Sequence, residues 1–317
     1  MRVGFIGLGN VGGKLAGSLV RNGFSVLVHD LDEEALVRLE AQGAARAAGP
    51  AEMTAAVDAV ITCLPSPAAS DQVVSGAGGV LEAMGPGKLW LEMSTTDAEE
   101  VRRLGARVAA AGGAALDCPV SGGCHRAATG NISIFAGGER AAFERALPLL
   151  SAIGRRILHT GGLGSASILK VITNYLATAN LVSCAEALVT AKAAGMNLAT
   201  AYEAIRISSG TSFVHETESQ VILNGSRDIN FTLGLVAKDV GLFQGLAERH
   251  DVPLDLSPLL LSLIEDGVAR YGADEHSPNI IRRWEEATGL DIRAPGFPAE
   301  MTDDEPEVPG AEVTATR

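Results

Sequence analysis

The stretch MRVGFIGLGNVGGKLAGSLVRNGFSVLVHD, residues 1–30, sets Gly7, Gly9 and Gly12 in the spacing G-x-G-x-x-G directly behind the apolar run Val3–Ile6. A run that short and apolar suits a buried strand, and a helix-like stretch follows the glycines. In such a turn the first glycine permits a tight reversal and the second lets backbone approach a pyrophosphate. The third lets the helix sit close to the strand, so phosphates meet the helix N-terminus. Leu8, Asn10 and Val11 fill the same loop, giving a cofactor-binding set of residues 7–12. A second apolar run, Phe24–Val28, ends at His29-Asp30, where a carboxylate can accept from a ribose 2′-hydroxyl. The same residues also read more plainly, as glycines punctuating a tight turn and Asp30 and Asp32 capping the next helix. A carboxylate at position 30 repels a 2′-phosphate, and Leu31 and Asp32 supply no arginine to hold one, so NAD is expected over NADP.

A chain of 317 residues suits two domains, and 47% apolar with 20% charged residues is ordinary for a globular protein. Only 4% of residues are aromatic, so the core rests on Ala, Leu, Val and Ile. The net charge of −13 argues against a sequence-independent grip on nucleic acid or an anionic membrane, both of which need clustered Lys and Arg. Met1 leads straight into the first strand, which predicts no secretory leader and a cytoplasmic protein. Cys63, Cys118, Cys124 and Cys184 lie at scattered spacings and are expected as reduced thiols. Cys118, Cys124 and His125 match no zinc pattern, so no metal is expected.

To about residue 160, short apolar runs alternate with helical stretches: Val3–Ile6, Ser25–Val28, Ala59–Leu64, Leu89–Met93, Ala115–Cys118 and Ile132–Ala136. That rhythm predicts an α/β architecture with a mostly parallel, doubly wound sheet and a ligand crevice at the carboxyl ends of the strands. Strand signals stop after Gly164, and long helical segments run to about residue 290. The expected division is 1–163 for the nucleotide-binding domain, 164–293 for an all-helical domain joined by a long interdomain helix, and 294–317 for a tail. Residues 161–184 carry one charge, Lys170, but too many polar side chains for a membrane span. The tail, with four prolines and six acids against one arginine, is expected to lie extended on the surface or be disordered. Its removal from residue 300 onward is expected to leave fold and chemistry in place.

Lys170 is the most informative residue for chemistry. An ammonium in a buried helix is costly unless paired or used, and desolvation lowers its pKa toward neutrality. Alternatively it snorkels to the surface on its apolar stem. Asn174 lies at i+4 on the same helix face. Lys238-Asp239 is a charge couple inside a mostly apolar helix, either functional or a solvent-facing ion pair. The segment DCPVSGG, 117–123, ends a strand in a loop whose amides can face an anion, and by itself is merely a turn.

Taken together, GFIGLGNVG (4–12), CLPSP (63–67), EMSTT (92–96), DCPVSGG (117–123), GNISIFAGG (130–138), the G-x-x-x-x-x-K-x-x-x-N run Gly164–Asn174 and KD (238–239) make the chain resemble the β-hydroxyacid dehydrogenase family. The family includes 3-hydroxyisobutyrate dehydrogenase and tartronate semialdehyde reductase. The resemblance implies a Rossmann domain, an all-helical second domain and assembly into homodimers or homotetramers. It also implies Lys170 as catalytic acid/base, Asn174 as its substrate-holding neighbour, and Ser121, Gly122 and Gly123 as the loop for the substrate carboxylate. Leu64, Pro65, Thr95 and Lys238 would line the nicotinamide side, with Asp239 near Lys170. The implied reaction is hydride transfer between nicotinamide and a small 3-hydroxy acid. An imine reductase of the same architecture, or a non-catalytic NAD-binding regulator, are the alternatives. After SGG the family usually has small residues, whereas Cys124-His125-Arg126 stands here. Arg126 then either holds a second anionic group of the substrate, or points to solvent or pairs with an acid of another subunit.

Overall fold

All six apolar runs form strands in the computed structural model, which describes residues 1–314. The strands are β1 (Arg2–Ile6), β2 (Ser25–His29), β3 (Ala45–Arg46), β4 (Ala59–Thr62), β5 (Leu89–Glu92), β6 (Ala114–Asp117), β7 (Val120–Ser121), β8 (Ile132–Gly138), β9 (Gly154–Gly161) and β10 (Ala311–Glu312). They form one sheet in the order β10-β9-β8-β6-β5-β4-β1-β2-β3, with β7 on β8. Pairing is parallel throughout except where β8 meets β6 and β7. Every residue of β4 and β5 is buried, because central parallel strands are covered on both faces.

The helices of this part are α1 (Gly12–Arg21), α2 (Glu33–Glu40), α3 (Pro50–Ala56), α4 (Pro67–Ser75), α5 (Ala98–Ala110), α6 (Gly123–Ala128) and α7 (Arg140–Ile153). Their apolar stripes complete the core: Leu15, Ala16 and Leu19 of α1 pack in one cluster with Val3, Phe5, Val26 and Val28 of the sheet. The remaining helices are α8 (Ser165–Ala193), α9 (Leu198–Arg206), α10 (Phe213–Asn224), α11 (Leu233–Arg249), α12 (Leu256–Tyr271) and α13 (Arg282–Thr288). The chain divides into two compact units, Met1–Lys170 with the residues from Asp303 onward, and Val171–Thr302. The second unit has its own core, in which Leu181, Leu188, Leu223, Val236, Val240, Ile264 and Ile280 cluster. By length and mean hydropathy, 1.2 over its best window, α8 could cross a membrane. Leu181, Val182, Ala185, Leu188 and Val189 instead bury its C-terminal half in that helical core.

Strand signals do not stop at Gly164. Ala311–Glu312 forms β10, a parallel partner of β9 at the sheet edge, in a two-residue strand too short to show a pattern. The acids before it are engaged with the first unit. Asp303 accepts from Asn131 Nδ2 at 2.8 Å and from the Thr129 hydroxyl, and Glu307 accepts from Asn22 Nδ2 at 3.0 Å. Arg140 grips Glu312 with two bonds of 2.6 and 2.9 Å. Residues just upstream belong to the second unit, where Phe297 sits edge-on to Tyr202 at 5.0 Å and its carbonyl accepts from Asn224.

Candidate active site

The glycine turn behaves differently at its three positions. Gly7 has φ +95°, and a Cβ there would lie 2.2 Å from the Cys63 carbonyl oxygen. A Cβ on Gly12 would meet the Gly7 carbonyl oxygen at 2.0 Å, so close packing of α1 on β1 requires that glycine. Gly9 has no atom within 4 Å of a built Cβ. Nothing inside the protein explains why position 9 lacks a side chain, and the open space beside it is where a pyrophosphate would approach. Val11 supplies no capping side chain to α1 and the first turn carries no acid, which suits an anion at that end. Leu8, Asn10 and Val11 complete the loop. These residues fit a dinucleotide.

Asp30, at the end of β2, accepts from Leu8 N at 2.5 Å and from Asp32 N at 2.8 Å. One carboxylate thus ties the glycine turn to the second strand. Asp32, not Asp30, caps α2 by accepting from Glu34 N. Leu31 is almost fully exposed.

Two side chains that the sequence reading passed over organise the next loops. Ser94 Oγ accepts from Leu64 N at 2.7 Å, and Ser94 N donates to Glu92 Oε1 at 2.9 Å. The loop after β4, with Leu64 and Pro65, is thereby tied to the loop after β5, with Thr95. Burial pushes the Glu92 carboxyl above its ordinary range, against the pull of the Ser94 hydrogen bonds. Both residues lie in or beside EMSTT, but no periodicity distinguishes a buried linking carboxyl from a strand end.

Ser121 lies in β7 opposite Ser133 of β8, and Gly122 and Gly123 follow with φ +130° and +85°. The side chains after them fold back over the loop: a Cβ on Gly122 would lie 3.3 Å from Arg126 Cδ, and one on Gly123 2.9 Å from His125 Cε1. Arg126 Nη2 stands 3.7 Å from Glu305 Oε1, an acid of its own chain. Burial, with the adjacent guanidinium, pushes the His125 pKa down. Burial raises the Cys118 thiol, helped by the charges of Asp117 and Glu92, so it is no nucleophile.

Asp117, fully buried, accepts from Gly164 N at 2.8 Å and from Ser167 N at 2.7 Å. It caps α8 from another strand and so joins the start of the 117–123 loop to the helix bearing Lys170, one turn beyond Ser167. Lys170 is 8% exposed and does not snorkel. Asn174 follows at i+4.

In the second unit, Asn174 Nδ2 donates to Asp239 Oδ2 at 2.5 Å, and Lys238 Nζ lies 3.0 Å from Asp239 Oδ1. Asp239 is buried, so the pair is not the solvent-facing couple that helix patterning also permitted. Among the described residues no group of three or more His, Cys, Asp or Glu is placed to hold a metal ion.

A glycine turn of dinucleotide-binding form on a mostly parallel sheet, with a buried lysine at the start of the long helix that follows, defines a dehydrogenase of the dinucleotide-binding class. The NAD binding domain of 6-phosphogluconate dehydrogenase matches residues 2–161, and the NAD-binding domain of NADP-dependent 3-hydroxyisobutyrate dehydrogenase matches 164–284. The 2-(hydroxymethyl)glutarate dehydrogenase of Eubacterium barkeri is 33% identical over 92% of this chain and 97% of its own. The NAD-dependent L-serine dehydrogenase of Pseudomonas aeruginosa is 35% identical over 83% and 90%. The crystal structure of 3-hydroxyisobutyrate dehydrogenase from Salmonella typhimurium superposes with TM-score 0.82 at 30% identity, covering 89% of this chain and 99% of that one. The chain belongs to the β-hydroxyacid dehydrogenase family and is an NAD(P)-dependent hydroxyacid dehydrogenase.

Proposed function

We propose that the enzyme interconverts a small 3-hydroxy acid and its carbonyl product using NAD, with Lys170 as the proton donor and acceptor. The observation that carries this reading is the buried Lys170 on a helix whose first turn is fixed by Asp117, the residue that opens the substrate loop. When bound, the nicotinamide ring supplies or accepts the hydride. Ser121 and the amides of Gly122 and Gly123 hold the substrate carboxylate. In oxidation, neutral Lys170 takes the proton of the substrate hydroxyl, and in reduction its ammonium returns that proton to the carbonyl oxygen. Asn174, oriented by Asp239, holds substrate, and Asp239 also pairs with Lys238. Leu64, Pro65, Thr95 and Lys238 bound the nicotinamide side, while residues 7–12 and Asp30 hold pyrophosphate and ribose.

NAD is preferred over NADP because the carboxylate of Asp30 repels a 2′-phosphate. Arg126 engages a second anionic or strongly polar group of the substrate. Support comes from its stem lying over Gly122 and from the Eubacterium relative, whose name specifies a hydroxy acid with two carboxylates. The enzyme works in the cytoplasm as a homodimer or homotetramer without nucleic-acid or membrane partners. Leu176, Ile207, Phe213 and Leu259 of the helical unit are 46–78% exposed, apolar surface that a second copy would cover. The test is NADH formation at 340 nm with a panel of mono- and dicarboxylic 3-hydroxy acids. Turnover of cyclic imines alone, or of nothing, overturns the reading.

A further inference from the structure

The tail residues Asp303, Glu305 and Glu307 each set a carboxylate against another part of the first unit, with a bend in the chain at Glu305. The outer two are anchored. Asp303 accepts from Asn131 Nδ2 at 2.8 Å and from Thr129, and Glu307 accepts from Asn22 Nδ2 at 3.0 Å and pairs with Arg21 at 3.4 Å. Between them, the Glu305 backbone carbonyl accepts from Asn131 Nδ2 at 2.9 Å, so the main chain is also fixed. The Glu305 carboxylate is held least: 56% exposed, it reaches Arg126 Nη2 at 3.7 Å. Thr129 and Asn131 follow α6 directly, and Arg126 lies on α6 with its stem against Gly122. The matched family domains end at residue 284, before this segment begins.

We propose that Glu305 is a specificity-determining residue: an internal carboxylate that occupies Arg126 until the second carboxylate of a dicarboxylic hydroxy acid displaces it. The inference rests on the assignment of Arg126 to that second group. Two anchored neighbours keep Glu305 at high effective concentration beside the guanidinium, so a dicarboxylate must compete with it whereas a monocarboxylate need not. An exposed pair of this kind is weak, which makes the competition reversible. The tail thereby narrows the preference between two-carboxylate and one-carboxylate substrates without touching the reacting atoms.

The test compares E305Q, R126A and the double variant on 2-(hydroxymethyl)glutarate and on 3-hydroxyisobutyrate. E305Q should lower KM for the dicarboxylate about two- to five-fold, the scale of an exposed ion pair, and leave the monocarboxylate unchanged. In the R126A background E305Q should change nothing. A KM that is unmoved or raised, a shift equal on both acids, or an effect that persists without Arg126 overturns the proposal. Hydrogen exchange with added glutarate at constant ionic strength gives a readout independent of turnover. If neither acid is oxidised, the catalytic reading fails, yet faster exchange of the amides at 303–305 and 307 with glutarate, absent in R126A, still supports displacement of Glu305. Exchange unchanged by glutarate overturns it.

Discussion

The carboxylate of Asp117 accepts the backbone N–H of Ser167 at 2.7 Å inside the first unit, fastening the strand that opens the proposed substrate loop to the helix that carries Lys170. A second bond from Gly164 N at 2.8 Å uses its other oxygen. Asn in place of Asp keeps one acceptor and turns an amide N–H toward a backbone N–H. D117N is therefore expected to lose about 1.5–3 kcal/mol of stability. As a positioning defect it should lower kcat by roughly tenfold or more while the NADH dissociation constant, read by fluorescence titration, stays unchanged. Unaltered kcat in a destabilised protein would make Asp117 purely structural.

In the proposed mechanism, Lys170→Ala removes the proton carrier. It should lower kcat by about 10²–10⁴-fold, the range for a general acid/base, with NADH binding retained. More than about a tenth of the activity surviving would make Lys170 a bystander.

Gly9→Ala and Gly12→Ala separate binding from folding. G9A meets open space and should melt like the wild type but bind NADH at least tenfold more weakly, because its methyl group would stand where the pyrophosphate is proposed to approach. G12A collides with a backbone oxygen at 2.0 Å and should lower Tm by several degrees. Equal Tm values for the two, or unchanged NADH affinity in G9A, would contradict this division.

Asp30 also holds Leu8 N, so Asn is a better probe than Ala: it keeps an acceptor for the glycine turn while removing the charge. D30N is expected to reduce the NAD/NADP ratio of kcat/KM by about ten- to a hundred-fold, the scale of a charged hydrogen bond. A ratio that already favours NADP in the wild type would refute the assignment of Asp30 to the ribose.

The tail is expected to stabilise the first unit in a pH-dependent way. The Arg140 guanidinium holds Glu312 below the usual carboxylate range. For Asp303, desolvation pushes upward, but the bonds from Thr129 and Asn131 together outweigh it and the net direction is down. A carboxylate depressed in the folded state stabilises above its unfolded pKa of about 4, and that stability is lost as pH falls through the folded value. Truncation after Thr302 should thus lower Tm at pH 7, with the gap to the full chain narrowing below about pH 4. Identical melting at both pH values would return the segment to the dispensable tail that its composition suggests.

The local order of residues 1–30 pointed to a dinucleotide-binding turn, and the motifs spread from there to Lys238-Asp239 to the class of this protein. A strand, a glycine turn, a helix, a second strand and an acid each depend on neighbours in sequence, and apolar runs marked the buried strands for the same reason. β9 and β10 escaped notice because GRRILHTG interrupts its apolar residues with arginines and Ala311–Glu312 is too short to carry a period. Composition also distinguished Lys170, the one charge across residues 161–184, but not whether it is buried, since snorkelling depends on what surrounds the helix. Only the tertiary structure decided the partners of the acids. Asp117 read as a strand end and turned out, like the Ser94 hydroxyl, to join loops distant in sequence. Asp303, Glu305, Glu307 and Glu312, solvated by any compositional rule, found Asn131, Arg126, Asn22 and Arg140 more than a hundred positions away. Hydrogen bonds and ion pairs of that kind are set by where the folded chain brings two groups together, and no periodicity records it.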